Sequence, residues 1–402
     1  MRTIFINRFY WPDEPATAQL LADLAERLAL RGQQIVVIAS QAPATGVPRV
    51  ETRNGVLVQR VRSWRSGSGV LGKLLGFVTF FILGTCKLLG TVQRADVVVC
   101  LTDPPLLSIP AALVCRLRGA RLIHWVQDIY PEVATAVTGK TWLGRLRPLR
   151  NFAWRASERC VTLGTDMAEV PLAAGVPLDR ISLIPNWSPD RLGLPSEETV
   201  KAIRNTWGLA GKFVVEYSGN LGRVHELTPI LAVAQLLAQD PAIIFVFVGG
   251  GAQKASLEAA SGRLALRNVL FKAPQTRNVL AESLGAGDIH LVTLKAGCEH
   301  YVFPSKLYGI LAVGRPVIFI GPTDSEIAQI IDNNNLGKSF STDQASAIAA
   351  FIQRLRKDPT QLEAYALSAR KFHAALGGPE KAADAWNLLL TPPALAGDQK
   401  AR

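Results

Sequence analysis

The amino-acid sequence predicts an α/β protein with two doubly wound domains that face each other across a cleft. Three observations predict this. The chain has 402 residues, more than one hydrophobic core usually serves. Short apolar segments of strand length alternate with longer segments of helical periodicity. The alternation stops in a turn-rich stretch, 185–198, and then starts again, so two similar halves meet near residue 190.

The first half, residues 1–190, has the rhythm of a βαβ fold. Its strand-like segments are 3–6, 34–38, 95–101 and 121–126, and a helical pattern covers 18–30. Strands that are apolar on both faces indicate a parallel sheet covered by helices on both sides. Ligands of such sheets bind at the carboxyl ends of the strands. The candidate site loops are therefore 7–15, 102–105 and 127–132.

The second half repeats this rhythm. Strand-like segments are expected at 213–218, 243–248, 269–271, 289–293 and 316–320, with a helix at 228–239 and three glycines at 249–251. Residues 191–370 are predicted to form the second domain. Residues 371–402 contain a helical segment, interrupted by two glycines and a proline, and a polar tail. We expect this last part to pack back on the first domain.

One segment of the first half, 70–90, is apolar almost throughout. Three arginines precede it, and Lys73 and Lys87 lie inside it. Between these lysines the apolar stretch is shorter than the roughly 18 to 20 residues that a membrane-spanning helix needs. We interpret the segment as a helix that lies in the membrane interface, with its basic neighbours attracted to anionic headgroups. A core helix between two strands is the main alternative, and a spanning helix is another.

Composition narrows the classes of partner. The chain has 44 Lys and Arg against 32 Asp and Glu, a formal net charge of +12, which favours nucleotide diphosphates, anionic lipid or nucleic acid. The basic residues are dispersed and not interleaved with aromatic residues, so nucleic acid is not expected. Five scattered cysteines without a CxxC pair support neither a disulfide framework nor a zinc site. The N-terminus lacks the pattern of a signal peptide, and we expect a cytoplasmic protein.

Two motifs contain candidate ligand-binding residues. The segment 219–223 (GNLGR) follows a predicted strand and precedes a helix, so glycine backbone and helical N–H groups can approach an anion. A plain strand-to-helix turn is the alternative. The segment 304–306 (PSK) opens another helix, where the dipole disfavours the cation of Lys306 unless an anion lies beside it. A surface lysine lying over apolar neighbours is the alternative here.

The sequence contains four motifs that resemble those of the retaining glycosyltransferases of family 4: GNLGRVHE, PSKLYGILAVGRP, SLIPNW and WVQDIYPE. The resemblance is closest to bacterial colanic-acid, exopolysaccharide and aminosugar transferases, and it extends from Phe9 to about Phe351. It implies the GT-B fold. In that fold two Rossmann-like domains face each other, the N-terminal one binding the acceptor and the C-terminal one holding the nucleotide sugar.

The resemblance also implies roles for single residues. Arg223 and Lys306 would hold the donor diphosphate, and Glu299 would contact the hydroxyls of the donor sugar. Asp128 would lie near the reacting carbon. These four are the implied catalytic residues. The donor site would further include Gly219, Asn220, Ser305 and Leu307.

Two features depart from the family pattern. A second Glu, commonly a ligand of the ribose, is expected where this chain has Gly309. The loop 7–15 lacks the Gly-Gly pair that is often found there. Ribose binding and the geometry around the donor or acceptor are therefore expected to differ from the family pattern.

The chemistry of the family accounts for the two cations. Breaking the bond between sugar and phosphate builds negative charge on the nucleotide diphosphate, which an enzyme stabilises with a metal or with fixed cations. The sequence has no Asp-x-Asp pair. We therefore expect Arg223 and Lys306 to stabilise this charge without a metal or other cofactor.

The predicted function is retaining transfer of a sugar from a UDP- or GDP-sugar to a lipid-linked or membrane-proximal saccharide in cell-surface or exopolysaccharide biosynthesis. We expect peripheral association with the anionic inner face of the plasma membrane. Two alternatives stay open: a nucleotide-sugar epimerase on a similar scaffold, and a catalytically idle membrane scaffold. The sequence does not indicate the sugar, the linkage or the oligomeric state.

Overall fold

The computed structural model describes residues 1–41, 46–64, 70–190 and 192–391. Within this range the chain forms two compact units. Unit 1 contains Met1–Asn186, the segment His300–Phe303 and the C-terminal residues from Pro379. Unit 2 contains Trp187–Glu299 and Pro304–Gly378. The tail 392–402 and Arg65, one of the arginines before the apolar segment, lie outside the described residues.

Unit 1 is built on a sheet of eight strands. These are Thr3–Ile6 (β1), Ile35–Ser40 (β2), Val50–Arg53 (β3), Val56–Val61 (β4), Val97–Cys100 (β5), Arg121–Trp125 (β6), Arg159–Thr162 (β7) and Ile181–Leu183 (β8). Their order is β3-β4-β2-β1-β5-β6-β7-β8, and only β3 runs antiparallel to its neighbour. Every residue of β1, β2 and β5 is buried, as central strands of a sheet covered on both faces require.

The helices of unit 1 connect these strands. They are Ala16–Leu30 (α1), Val70–Thr91 (α2), Ser108–Arg118 (α3), Glu132–Thr138 (α4), Arg147–Ala156 (α5) and Thr165–Ala173 (α6), with short 3-10 turns at Thr141–Leu146 and Leu178–Arg180. Helix α2 contributes Phe80 and Leu88 to a core cluster that includes Ile4 and Val36 of the sheet. The segment 70–90 therefore forms a helix that packs on the sheet.

Unit 2 is built on a sheet of six parallel strands. These are Phe213–Ser218 (β9), Ile243–Val248 (β10), Val269–Lys272 (β11), Ile289–Thr293 (β12), Val317–Ile320 (β13) and Gly337–Phe340 (β14), in the order β11-β10-β9-β12-β13-β14. The helices are Glu197–Trp207 (α7), Thr228–Leu236 (α8), Lys254–Arg263 (α9), Leu280–Ala286 (α10), Lys306–Ala312 (α11), Glu326–Asn333 (α12), Ala345–Lys357 (α13) and Pro359–Leu376 (α14), with a 3-10 turn at Arg277–Val279. The doubly wound fold expected from the sequence is confirmed in both units.

The last helix, Gly378–Leu390 (α15), belongs almost wholly to unit 1. Its Trp386 ring lies 4.9 Å from that of Trp125, and Arg121 Nη1 donates to the carbonyl oxygen of Leu390 at 3.1 Å. The expected boundary at residue 371 instead falls inside α14. The chain changes units at Gly378 because two successive glycines with φ of 76° and 56° end one helix and open the next.

Helix α2 is also the one helix of the described residues that is long and apolar enough to cross a membrane, judged by length and composition. The window Leu74–Thr91 has a mean hydropathy of 1.7, and 28% of it is buried in the protein. Core helices of soluble proteins pass the same test. The exposure of the individual side chains of α2 therefore has to distinguish a core helix from a helix that contacts a membrane.

Candidate functional site

The predicted donor residues lie at the carboxyl edge of the unit 2 sheet. Three neighbouring strands end there, β9, β10 and β12, and they are followed by the loops 219–223, 249–251 and 294–299. Backbone hydrogen bonds join the loops. Leu221 N–H donates to Gly250 O at 2.8 Å, and Lys295 N–H donates to Val224 O at 2.8 Å. The loops thus form one layer at the edge where parallel sheets bind ligands.

Glycines allow two of these loops to lie against each other. Gly219, Gly249 and Gly251 have φ of 128°, 146° and 145°, a conformation that residues with a side chain rarely adopt. A Cβ atom on Gly251 would lie 2.6 Å from the carbonyl oxygen of Leu221. Glycine is therefore required by the close approach of the loops as well as by the backbone conformation.

Lys306 places a positive charge at this edge. It is the first residue of α11, and its Nζ atom lies 3.4 Å from the centroid of the Tyr217 ring. A Cβ atom on Gly219 would lie 3.5 Å from Nζ, so the ammonium group borders the turn. Nζ is buried and has no hydrogen-bond partner among the described residues, and burial lowers the pKa of Lys306 well below its usual value. An anion bound at the turn would offset the free energy that this buried charge costs.

Tyr217 and His225 support the ammonium group and the turn. The Tyr217 hydroxyl donates to the carbonyl oxygen of the exposed Asn220 at 3.0 Å, and its ring meets the His225 ring edge-on at 6.0 Å. Burial, with a smaller effect of Lys306, lowers the pKa of His225 to about 3. The imidazole is thus neutral at pH 7, and its Nδ1–H donates to Thr293 O at 2.7 Å.

The other predicted donor residues differ in accessibility. The Arg223 side chain is exposed on the 219–223 loop. Glu299 has a buried Oε2 without a hydrogen-bond partner in the described part of the chain. Ser305 stands at the N-cap position of α11 and makes no capping hydrogen bond with its side chain. Leu307 is 1% exposed, and its N–H donates to Pro304 O at 3.1 Å, so in this structure it contributes to packing.

Asp128 lies in unit 1, in the loop after β6. Its N–H is 3.3 Å from the Thr102 Oγ1, and the residue forms an isolated antiparallel bridge with Val302. Burial, and in second place the negative charge of Asp103, raises the pKa of Asp128 to about 6. Asp103 is itself paired with Arg8, whose Nε lies 3.1 Å from Oδ1. Asp128 is therefore largely ionised at neutral pH but takes up a proton more readily than an ordinary Asp.

A small cavity borders Asp128, and Arg150 and His124 lie in its wall. Arg150 donates to both carboxylate oxygens of Glu132, at 2.8 and 3.0 Å, and its guanidinium carbon lies 3.9 Å from the centroid of the Trp154 ring. Burial, and then the charge of Arg150, lowers the pKa of His124 to about 3. The cavity thus combines a carboxylate, a fixed cation and a neutral imidazole.

Two known domain families match the chain. Residues 17–187 match the Glycosyl transferase 4-like domain, and residues 200–372 match Glycosyl transferases group 1. Each half of the chain therefore matches a glycosyltransferase domain. This confirms the resemblance carried by the four sequence motifs, and the GT-B fold that the resemblance implies.

Individual relatives agree with this family. The chain is 31% identical over 228 residues to WcaI of Escherichia coli, named as a colanic acid biosynthesis glycosyl transferase, and the match covers 55% of this chain and 56% of WcaI. It is 29% identical to the glycosyltransferase WbjE of Pseudomonas aeruginosa over 68% of this chain and 69% of WbjE. The crystal structure of Anabaena HepE in complex with UDP-glucose has a similar fold, with a TM-score of 0.76 at 17% identity, over 97% of this chain and 99% of HepE.

Among the described residues, the side chains nearest to Gly309, where the family pattern has its second Glu, are apolar. A Cβ atom there would lie 3.4 Å from Leu192 Cδ2 and 3.5 Å from Leu284 Cδ1. These are ordinary van der Waals distances to hydrocarbon. No polar side chain of the described residues therefore lies within 4 Å of this position in place of the missing carboxylate.

A larger cavity of about 360 Å³ lies elsewhere in unit 2. Two of its arginines are already paired, Arg204 with Asp288 at 3.0 Å and Arg370 with Glu363 at 2.5 Å. None of the sequence-predicted site residues lines it. We therefore assign the candidate site to the two strand-end regions described above.

The described part of the chain contains no group of three or more His, Cys, Asp or Glu side chains placed to hold a metal ion. Three of the histidines form hydrogen bonds with backbone carbonyl oxygens. The pairs are His225 with Thr293, His290 with Leu284, and His300 with Asp166.

Proposed function

We propose that this glycosyltransferase transfers a sugar from a UDP- or GDP-linked donor to a saccharide that is lipid-linked or close to a membrane, in cell-surface polysaccharide synthesis. One observation carries the donor part: the buried ammonium group of Lys306 borders the Gly219 turn without a hydrogen-bond partner in the described residues. The complex of HepE with UDP-glucose and the naming of WcaI for colanic acid biosynthesis support the proposal.

In the proposed reaction the sugar keeps its anomeric configuration. The bond between the anomeric carbon and the diphosphate oxygen breaks while the acceptor oxygen bonds to the same face of that carbon. The acceptor's proton passes to the leaving phosphate. Lys306 and Arg223 offset the negative charge that develops on the diphosphate, Arg223 by forked hydrogen bonds and Lys306 as a point charge. In this proposal the two cations replace a metal ion.

Glu299 and Asp128 act on the sugar. The buried Oε2 of Glu299 has no partner among the described residues and can accept a hydrogen bond from a donor-sugar hydroxyl. Asp128, with a pKa of about 6, is mostly ionised at neutral pH. Its negative charge would stabilise the positive charge that develops on the sugar ring in the transition state.

The acceptor and the location are inferred from helix α2. Its outward residues Leu74 and Ile82 are each 55% exposed, which is costly in water and favourable at a lipid surface. The five cysteines are free, as suits a reducing compartment. We infer a cytoplasmic protein at the inner face of the plasma membrane.

The test is a transfer assay with purified protein. Radiolabelled UDP- and GDP-sugars are incubated with a membrane lipid extract in EDTA, and the label that reaches the lipid fraction is measured. We expect transfer from one donor, with the anomeric configuration of the product, read by NMR, equal to that of the donor. Arg223→Ala and Lys306→Ala should each lower turnover by at least about 10²-fold, whereas Arg263→Ala, an exposed arginine on α9, should not.

Other outcomes would reject parts of the proposal. Donor binding without transfer in any extract would indicate a scaffold protein. Conversion of the donor into a second nucleotide sugar without an acceptor would indicate an epimerase. Transfer that EDTA abolishes and Mg²⁺ restores would refute the metal-independent mechanism alone.

A further inference from the structure

Helix α2 is apolar on both its inner and its outer side. Its inner side packs into the core of unit 1 through Phe80 and Leu88, which are 0% and 1% exposed. Its outer side carries large apolar residues that are between 39% and 70% exposed: Leu71, Leu74, Leu75, Val78, Ile82 and Leu83. A contiguous apolar face of this kind at a surface marks a site of contact with a partner.

Two further helices extend this apolar face. Helix α3 contacts both α2 and α5, so the three lie side by side. Leu113 and Leu117 of α3 are 55% and 74% exposed, and Leu149 and Phe152 of α5 are 51% and 40% exposed. Trp142, in the turn before α5, is 58% exposed. We call the exposed side chains of α2, α3 and α5, together with Trp142, the outer helix surface.

The charges of the outer helix surface have a single sign. Helices α2, α3 and α5 and the turn before α5 contain no Asp or Glu. Exposed arginines lie between the apolar residues, among them Arg116, Arg118 and Arg145. A second copy of this chain would bring the same positive charge to the contact and be repelled. Anionic lipid headgroups complement the arginines. The acyl chains beneath the headgroups complement the leucines and the tryptophan.

We propose that the outer helix surface binds a bilayer that contains anionic phospholipid, and that α2 lies along the bilayer and does not cross it. Crossing would require α2 to leave the sheet, exposing the buried Phe80 and Leu88. The helix also lies close to the segment after β4, because a Cβ atom on Gly76 would lie 2.7 Å from the carbonyl oxygen of Trp64. The helix is therefore held by the protein on one side and is available to lipid on the other.

The same helices reach the Asp128 cavity with their other residues. Ser108, the first residue of α3, and Arg150 and Trp154 of α5 line that cavity, while Leu113 and Phe152 of the same helices face outward. A saccharide attached to a membrane lipid would thus have its lipid held by the outer faces of α3 and α5 and its sugar close to their inner ends. This step rests on the proposed transfer reaction, whereas bilayer binding rests on the proposed location alone.

Bilayer binding is tested by co-sedimentation of the full chain with vesicles. One set contains phosphatidylcholine alone, and the other contains roughly a third phosphatidylglycerol. We expect binding to the second set to be at least about ten-fold stronger and to weaken as salt rises, because two or more arginines each contribute about five-fold.

Variants on exposed positions test which surface binds while leaving the core intact. Ile82→Gln and Leu117→Gln should each weaken vesicle binding by about ten-fold or more, because each removes a large apolar side chain from the lipid contact. Arg116→Ala should weaken binding to anionic vesicles by about five-fold. The matched control is Leu30→Gln, at an 82% exposed leucine of α1 outside this surface, which should bind like the unaltered chain.

Three outcomes would overturn the proposal: no vesicle binding, equal binding to both sets of vesicles, or binding that the surface variants leave unchanged. Oligomers that Ile82→Gln dissociates, in a chain that ignores vesicles, would identify a protein interface instead. Failure of the proposed function is separable from these results. The variants should keep their turnover with a water-soluble acceptor, and a chain that binds vesicles but transfers no sugar would leave the surface proposal standing.

Discussion

The substitution Lys306→Met tests the centre of the donor site. Methionine keeps an unbranched apolar side chain that is one atom shorter than lysine, and it removes the charge. In the structure that charge lies 3.4 Å from the centroid of the Tyr217 ring and beside the Gly219 turn. If it stabilises the leaving diphosphate, its loss should lower turnover by about 10²- to 10³-fold, which corresponds to about 3 to 4 kcal/mol of transition-state stabilisation.

The same substitution should not reduce the stability of the unliganded protein. Burial lowers the pKa of Lys306, so between that lowered pKa and 10.5 the unfolded chain holds more protons than the folded one. The free energy of unfolding of the unaltered protein therefore rises with pH across this window. Lys306→Met removes both this slope and the buried charge, at the loss of a cation–π contact worth about 2 kcal/mol. We expect a melting temperature at pH 7 that is equal or higher.

Thermal melts with and without UDP measure both effects. At a UDP concentration of about 100 Kd the unaltered protein should gain about 2.7 kcal/mol, and Lys306→Met should lose most of this gain. Lys338→Met, at an exposed lysine of β14, is the matched control and should keep it. A Lys306→Met protein that turns over normally, or is stabilised by UDP as strongly as the control, would refute the assignment of Lys306 to the diphosphate.

Three further predictions address other parts of the two units. Gly249→Ala should abolish UDP binding and destabilise the fold, because its Cβ would collide with the carbonyl oxygen of Gly219. Gly262→Ala on α9, with open space around it, should be tolerated, and binding assays and thermal melts compare the two variants. Because the pKa of Asp128 is raised from 3.8 to about 6, the free energy of unfolding should fall as pH rises between these values, and Asp128→Asn should remove the fall in melts across that range. Arg150→Met should destabilise unit 1 by about 1.5 to 3 kcal/mol in urea titrations, because the buried carboxylate of Glu132 loses two charged hydrogen bonds and keeps only Arg147, whose Nε lies 3.0 Å from Oε1. A loss under about 1 kcal/mol would contradict this reasoning.

Most of the fold could be predicted because the central strands are apolar on both faces. The predicted segments 3–6 and 213–218 coincide with β1 and β9. The hairpin of β3 and β4 was missed, although its signal is present in the sequence. Asn54 and Gly55 have φ of 46° and 81° between two strands, and an Asn-Gly pair is typical of such a turn. The hairpin interrupts the alternation of strands and helices, so a prediction based on that alternation does not include it.

The site could be predicted only where its residues are adjacent in the sequence. Gly219 and Lys306 each stand in a local motif, and the structure brings them together. Tyr217 was not singled out, because a buried aromatic residue near the end of a strand has the pattern of a core residue. Its contact with Lys306 depends on how α11 packs beside β9. The same holds for Asp103, whose effect on Asp128 arises from the meeting of two strand-end loops.

Helix α2 shows where a sequence pattern reaches its limit. A helix that is apolar all round has the same pattern whether protein or lipid covers it, so for 70–90 an interfacial helix was the preferred interpretation and a core helix stayed open as the main alternative. The structure separates the two faces. Gly76, Phe80, Gly84 and Leu88 recur every four residues and form the buried stripe, in which Gly76 lets the helix lie close to the Trp64 backbone and Gly84 leaves room for the Phe80 ring. The core-helix interpretation therefore describes this stripe, and the opposite leucines, which no described part of the chain covers, need another partner. Their arginine neighbours on α3 are the physical reason to expect that partner to be an anionic bilayer.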